Sequence, residues 1–549
     1  MNDRLIIRLF IGVWTLVNLL QGMFTELADD EAYYWTWSQH LDWGFMEHPP
    51  MVAIFIALGS KLFGGEIGVR IMTILASSGV LWLVYEKLVR RDALLYAALV
   101  ASVFLAHVGG FLTAPDSPLF LFVGLYFVFL KPYLETDSWK SSIVLMLIIT
   151  GMMYSKYHGA IVLLCAIVAY PKILTRRTFW VIAISATVLY LPHIYWVLTQ
   201  GGQGVGYALA DRFQHPFSIE VIGNYIIGQL GVLGPLVALP LIWFAMRNKT
   251  RSTHDRVLKF TVVGMFLFFL LWSFRGRIEA NWTASLVLPM IILCHQFLQG
   301  NGHARKIMIS LAIPSLLLIG VVRLELSSNI LPEGPWSERV AEFHGNVDRA
   351  ADINSFSQGR TTYWNSYQKA SKAWFYTGLK ALPLNINSRP NQFLAWEHYE
   401  EECAKPAVIF YEYLQQGMTE RFGSDSLLYA EANSFIPLST WRINVSSEIS
   451  VLASDTVEIY YDTYNVNRDF SCLPHNAQVS LHLYQDKAMG YQLYNYKPQH
   501  VDLDAMVKGL GAYAFVANAP AGEYMAVLIY LTPGVLTWRE SNEFRIRIE

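Results

Sequence analysis

Charge is scarce in this chain. Of its 549 residues only 15% are Asp, Glu, Lys or Arg, against about 25% in an ordinary soluble domain. Hydrophobic residues make up 54%, and the mean hydropathy is +0.32. A wholly soluble protein is excluded on that ground. The formal charge of −2 lacks the basic excess that nucleic acid requires, so no nucleic-acid partner is expected. Four cysteines in this length exclude a disulfide-built scaffold, and none are spaced closely enough for a zinc motif. There is no P-loop and no Gly-x-Gly-x-x-Gly after a strand, so nucleotide binding has no recognisable loop. Internal repeats and low-complexity segments are also missing.

Long apolar runs, by contrast, are plentiful. Runs near the roughly 20 residues that cross a bilayer fall at 5–24, 67–86, 93–112, 117–133, 141–156, 158–171, 178–198, 220–246, 257–274, 282–299 and 306–324. The first has no small-residue cleavage site after it and reads as an uncleaved span. Residues 49–63, "PPMVAIFIALGSKLF", are too short to span and read as an interfacial helix. Every second connection is basic, including Arg4 and Arg8, Lys87 to Arg91, Lys172 to Arg177, and Arg247 to Arg256. The positive-inside rule places those in the cytoplasm. The stretch after the first span, "TAPDSP" at 113–118, "SKYHG" at 155–159, the loop 199–219, "FRGRIEANW" at 274–282 and everything after 325 then lie outside.

The character of the chain changes after residue 325. Residues 326–430 mix helix-like and strand-like segments and are expected to form an extracytoplasmic α/β domain. From about 434 onward, short alternating runs such as "VEIYYDTY" and "EFRIRIE" suggest a β-sandwich over 431–549. Cys403 and Cys472 sit in this tail, where either a disulfide or two separate buried thiols fit; Cys165 and Cys294 sit in spans as packing residues.

The chemistry-bearing residues collect on the outer side. Residues 29–51, "DDEAYYWTWSQHLDWGFMEHPPM", crowd Asp30, Glu31 and Glu47 among Tyr33, Tyr34, Trp35 and Trp37. Carboxylates at membrane depth are costly and functional when they line a cavity. Taken one at a time, the rings read equally as an interfacial belt. Together with carboxylates they suit a sugar, whose C–H faces stack while its hydroxyls donate. Asp116 stands at another span mouth. His48, Lys156, Arg275 and Arg277 fall at span ends on the same side, whereas Arg323 reads as a cation extended toward the headgroups. One base, several cations and a lipid-level entrance fit sugar transfer from a polyprenyl phosphate. The departing phosphate needs cations rather than a proton, and one carboxylate deprotonates the acceptor in a single displacement.

In order, "DEAYYW", "EHPPM", "TAPDSP", "SKY" and "RIEANW" resemble the motifs of GT-C membrane glycosyltransferases. The chain looks closest to the bacterial branch grouped with the dolichyl-phosphate-mannose protein mannosyltransferases and the lipid A aminoarabinose transferases. The resemblance covers residues 1–325, and extends more weakly to "YWNSYQKASKAWFYTGLKALPLNINSRPNQFLAW" at 363–396. It implies a polytopic α-helical membrane protein of the GT-C fold, with about 11 transmembrane helices over 1–325 and an extracytoplasmic α/β plus β-sandwich region. Asp30 would be the catalytic carboxylate with Glu31 beside it, and Asp116 the second acid. Lys156, Tyr157, Arg275, Arg277 and His48 would hold the donor phosphate. Tyr33, Tyr34, Trp35 and Asn281 would contact sugar or acceptor. In the aminoarabinose enzymes a Glu-Lys pair precedes the prolines, with the acid associated with a metal. This chain has Glu47-His48, which puts a divalent metal ion at Glu47 in doubt and leaves no cofactor certain. The expected partners are membrane lipids, a polyprenyl-phosphate sugar donor and a glycan, lipid A or protein acceptor at the outer face of a bacterial inner membrane. The rival reading is a transporter or flippase of a polar or lipid-linked solute. Transporters place charge near mid-bilayer within two related halves, and neither trait is present in this sequence.

Overall fold

The computed structural model describes residues 2–200, 218–276, 278–332, 334–385, 391–396, 405–411, 421–422, 427–435, 441–445, 448–465, 478–484, 493–500, 509–532, 537–541 and 543–549. Arg277, Cys403, Cys472 and nearly all of the loop expected at 199–219 lie outside these residues. The chain forms two compact units, residues 1–344 and 345–549.

The first unit is helical. It begins with α1 (Asp3–Phe24), α2 (Asp29–Gln39), α3 (Met51–Ser60) and α4 (Gly65–Val84). Next come α5 (Ala93–Ser102), α6 (Phe104–Phe111), α7 (Asp116–Thr136), α8 (Trp139–Ser155), α9 (Gly159–Ala169) and α10 (Arg177–Thr199). The unit continues through α11 (Ile219–Leu233), α12 (Ala238–Arg247), α13 (Thr253–Trp272), α14 (Val287–Gln299) and α15 (Gly302–Ser328) to the short α16 (Pro335–Val340). Among the described residues, six helices are long and apolar enough to cross a membrane, or up to eight if each bent pair is one span. The expected count of about eleven is therefore not reached by length alone. The difference includes α8 and α9, 17 and 11 residues long: α8 stops and α9 starts at "SKYHG", which leaves the helical path at an extended Lys156. Residues 51–60 do form a helix too short to span, packed on α4.

The two bent pairs explain each other. The α5/α6 pair turns by 82° and the α11/α12 pair by 88°. A break inside a bilayer frees backbone groups that need partners from within the protein. Ser315 of α15 donates to the Ser102 carbonyl at 2.8 Å, and a His107 ring nitrogen lies 2.9 Å from the Ala101 carbonyl. The second bend is at Gly234, where φ is +105° and a Cβ would lie 2.9 Å from that same Ser102 carbonyl oxygen. Only glycine satisfies both the backbone angle and the close approach.

Arg323 differs from its sequence expectation. It is 8% exposed and donates to Gln21, Asn18 and the Val17 carbonyl of α1, with His107 of α6 at 3.0 Å. Its guanidinium lies over the Phe111 ring, 5.3 Å from the centroid. The charge is held inside the bundle because α1 supplies a ladder of polar groups at Val17, Asn18 and Gln21 that reaches it before any headgroup does.

The second unit begins with α17 (Asn346–Ser357), β1 (Thr361–Trp364), α18 (Tyr367–Thr377) and β2 (Ala381–Pro383), followed by β3 (Lys405–Tyr411), β4 (Arg421–Phe422) and β5 (Leu427–Phe435). Its first sheet has the order β2-β1-β3-β5-β4, with β1 parallel to both neighbours. The remaining strands, among them β6 (Trp441–Asn444), β8 (Thr456–Asn465), β9 (Gln478–Tyr484), β12 (Leu510–Val516), β13 (Gly522–Thr532) and β15 (Phe544–Ile548), make two further sheets. Ile459, Phe515, Leu481 and Ile546 from both of those sheets share one core. In β15 the alternation Phe-Arg-Ile-Arg-Ile is also the burial pattern, as a half-buried strand requires.

Gly234→Ala is expected to lower the melting temperature in detergent by several degrees, because strain of this kind costs about 1–3 kcal/mol. Gly231→Ala, where a Cβ meets nothing within 4 Å, should leave it unchanged or slightly raised. Equal melting of the two variants would contradict the packing of the bends.

Candidate active site

The stretch 29–51 is ordered by one buried ion pair. Asp29, Asp30 and Glu31 occupy the first turn of α2, where negative charge suits the helix dipole. Glu31 is fully buried. Its Oε1 accepts from Arg70 Nε at 2.9 Å and from the Thr113 amide at 2.8 Å; its Oε2 accepts from Arg70 Nη2 at 2.5 Å and from the Ala28 amide at 3.1 Å. Arg70, equally buried on α4, also donates to the Gly22, Thr25 and Glu26 carbonyls at 3.3, 2.5 and 2.9 Å. One pair thus ties the end of α1, the start of α2, α4 and the loop "TAPDSP" together. Asp30, next to this anchor, is exposed.

Three residues singled out in the sequence meet at Asp116, the first residue of α7. Lys156 Nζ donates to both carboxylate oxygens, at 2.9 and 2.8 Å, and Asn281 Nδ2 donates to Oδ2 at 2.8 Å. Lys156 is 4% exposed, held where α8 ends in an extended residue. Asn281 comes from a 3₁₀ turn, Ala280–Leu286. Three connections far apart in sequence therefore place a cation, a carboxylate and an amide within hydrogen-bond reach.

The aromatic residues divide. Trp37 is fully buried, stacked on Phe45 at 4.5 Å, with the Tyr34 ring edge-on at 4.8 Å and Tyr33 at 5.1 Å. Tyr33 and Tyr34 are 2% and 8% exposed, so much of their ring surface is used in packing. The Tyr33 hydroxyl donates to Glu47 at 3.1 Å, which fixes the "EHPP" turn against α2. Trp35 is half-buried, as are Glu47 and His48. The His48 ring lies 6.1 Å from Tyr34 and 6.4 Å from Trp37.

A metal ion at Glu47 finds little support in this arrangement. No group of three or more His, Cys, Asp or Glu able to hold one occurs among the described residues. The Tyr33 hydroxyl is one donor to Glu47, and we derive no step through a metal.

Arg275 is exposed just past α13, while the charge beside Lys156 is that of Asp116. Tyr157 places its hydroxyl 3.1 Å from His193 Nε2.

Three residues escaped sequence reasoning. His193 Nδ1 lies 2.8 Å from the Trp43 carbonyl, and Trp196 Nε1 donates to Asp42 at 2.7 Å. Together they dock the 42–44 turn on α10, where a Cβ at Gly44 would fall 2.5 Å from the Trp196 ring. Arg70 is the third. Both Arg70 and His193 are isolated ionisable residues inside apolar runs, and that rarity was the available signal.

With this geometry in view, three comparisons place the chain. A model of the dolichyl-phosphate-mannose-protein mannosyltransferase family matches residues 47–196. The lipid A galacturonosyltransferase RgtD of Rhizobium johnstonii is 24% identical over 439 residues, covering 74% of this chain and 89% of that protein. The crystal structure of ArnT from Cupriavidus metallidurans in the apo state superposes with a TM-score of 0.55 at 15% identity, covering 77% of this chain and 97% of ArnT. The same protein bound to undecaprenyl phosphate gives 0.53 over the same shares. The chain shares the fold of ArnT and is similar in sequence to membrane glycosyltransferases of the GT-C class. It is a multi-pass membrane protein with a strand-rich C-terminal region.

Glu31→Gln is expected to destabilise the protein by about 3–5 kcal/mol, because Arg70 would be left as an uncompensated buried charge. Arg70→Met should do the same, and Glu31→Gln combined with Arg70→Met should cost much less than the two single changes added together. A purely additive double variant, read by thermal unfolding in detergent, would contradict the pairing.

Proposed function

We propose that this protein transfers a sugar from a polyprenyl-phosphate donor to lipid A or a lipid A-like glycolipid, on the outer face of a bacterial inner membrane. The observation that carries the reading is the partly buried cluster of Asp116, Lys156 and Asn281 at the ends of otherwise apolar helices, with Lys156 itself buried. Such a cluster costs desolvation energy and is retained where charge develops during a reaction. Support for the donor comes from the likeness to ArnT in its undecaprenyl phosphate complex, and for the acceptor from the name of the Rhizobium relative.

The accessible oxygens divide the labour. Both oxygens of Glu31 are taken up by a guanidinium and two backbone amides, and both oxygens of Asp116 accept from Lys156. Asp30 is exposed beside the Glu31 anchor, and we assign it as the base. Glu31 is therefore a positioning residue rather than a catalytic one, and Asp116 holds Lys156 in place. The acceptor oxygen attacks the anomeric carbon and its proton passes to Asp30. The bond from that carbon to the donor phosphate oxygen breaks, and its electron pair leaves with the phosphate. Lys156 then stabilises the charge that develops on the departing phosphate more than it stabilises the bound donor. Arg275, Arg277, Tyr157 and His48 remain candidates for the rest of the phosphate and lipid contacts. Trp35, half-buried on α2, is the ring best placed to meet a sugar, whereas Tyr33 and Tyr34 shape the floor beneath.

Asp30→Asn should lower turnover by about 10²–10⁴, the usual share of a general base, with an unchanged melting temperature. Activity within a few-fold of wild type would move the base elsewhere, Asp116 first.

Lys156→Ala should reduce kcat rather than only raise KM. Lys156→Arg should recover part of the loss, since a planar fork does not replace a point charge. An unchanged kcat in Lys156→Ala would remove the phosphate role.

A further inference from the structure

One imidazole joins two of the outer stretches. His193 of α10 is only 1% exposed, with Nδ1 2.8 Å from the Trp43 carbonyl and Nε2 3.1 Å from the Tyr157 hydroxyl. A carbonyl only accepts, so Nδ1 carries the hydrogen and Nε2 accepts from Tyr157. An ionisable side chain within an apolar span is costly and points to function. We propose that His193 is a positioning residue for sugar transfer: through Tyr157 it holds Lys156 at a fixed place relative to Asp30. This role rests on the sugar-transfer reading, in which those two residues act at opposite ends of the displacement.

Lys156 needs such a hold because it stands at a break. Its backbone is extended, with φ −163° and ψ 142°, between the end of α8 and the start of α9. Ser155 before it donates to the Gly151 carbonyl at 2.6 Å, and the Gly159 amide donates to the Lys156 carbonyl at 3.0 Å. Those bonds are local and shape the turn. Its place in the bundle is set by Asp116 on one side and by α10 on the other. The Tyr154 hydroxyl donates to the Leu189 carbonyl at 2.9 Å, and Tyr157 donates to His193 one turn further along α10. The imidazole is itself held, with the Tyr190 ring at 4.9 Å and the Trp196 ring nearly parallel at 6.4 Å.

These contacts close a ring. From α2, Glu31 accepts from the Thr113 amide, and the same loop delivers Asp116 to Lys156. Lys156 continues into Tyr157, then His193 and Trp43, and Phe45 stacks on Trp37 of α2 at 4.5 Å. Both ends of the ring therefore lie on α2, the helix that carries Asp30. A single line of contacts leaves a hinge, whereas a closed one fixes both distance and direction. A displacement needs its base and its phosphate cation in one fixed relation, and a misplacement of about 1 Å costs about 10²-fold. Gly44 permits the closure, because a Cβ there would fall 2.8 Å from His193 Nδ1 and 2.5 Å from the Trp196 ring.

The test separates turnover from binding. Full-length protein in lipid nanodiscs is assayed for transfer from an undecaprenyl-phosphate-linked sugar to lipid A, and its affinity for undecaprenyl phosphate is measured alongside. His193→Ala and Tyr157→Phe should each lower kcat about tenfold or more, with the Kd for undecaprenyl phosphate changed less than about twofold. The two changes combined should cost no more than the larger one alone, because either opens the same ring. Gly44→Ala, which pushes the turn off an intact His193, should lower kcat in the same way. A merely structural role would lower the melting temperature and leave the kcat of the folded enzyme unchanged. Tyr157→Phe removes one hydroxyl from a partly exposed ring, so it decides the outcome if His193→Ala misfolds. Unchanged kcat in Tyr157→Phe, additive losses in the combined variant, or weakened undecaprenyl phosphate binding in place of slower turnover would overturn the role alone. A wild type without transfer would remove the sugar-transfer reading and this role with it.

Discussion

The Glu31–Arg70 pair is the contact on which the rest of the membrane unit's chemistry depends. Two opposite charges with no exposure are expensive to desolvate, and here each is repaid by further bonds, to backbone amides on the acid and backbone carbonyls on the guanidinium. Those further bonds fix the junction of α1 and α2 and set the loop that delivers Asp116. The exposed carboxylate of Asp30 is one residue from this anchor, so its position is inherited from a rigid neighbour.

A second constraint is the membrane itself. Bent helices, a buried arginine and a glycine with positive φ would each be unstable alone in hydrocarbon. They persist because each supplies what another lacks: Ser315 bonds the carbonyl freed at Ser102, Gly234 approaches the same carbonyl, and Arg323 meets the polar ladder of α1. The span ends then carry the reactive groups, with Lys156 and Asn281 brought to Asp116 by connections 40 and 165 residues away.

Much of this was legible in the chain. Scarce charge and repeated apolar runs imply a polytopic bundle, and the strand-rich end follows from period-two alternation such as that of Phe544–Ile548. Asp116 and Lys156 were marked by charge at span ends and Asn281 by the resemblance of its motif, and the three meet. Partner choice was not legible. Glu31 next to Asp30 looks equivalent in sequence, and only the distant Arg70 separates an anchor from an exposed acid. The same holds for Arg323, which a local rule sends to the headgroups and a long-range contact with α1 keeps inside. The aromatic cluster suggested sugar stacking, but Trp37 and Phe45 claim one another first. Short helices such as α8 and α9 were counted as spans from hydropathy, which does not register where a polar knot ends the helix.

The central claim is transfer from a polyprenyl-phosphate sugar to a lipid A-like acceptor. Its most direct measurement is mass spectrometry of purified protein in lipid nanodiscs, supplied with an undecaprenyl-phosphate-linked sugar and lipid A. The predicted result is lipid A heavier by one glycosyl unit and an equal amount of free undecaprenyl phosphate, both dependent on acceptor. Donor left intact with acceptor present, or moved across the bilayer without bond cleavage, would contradict it.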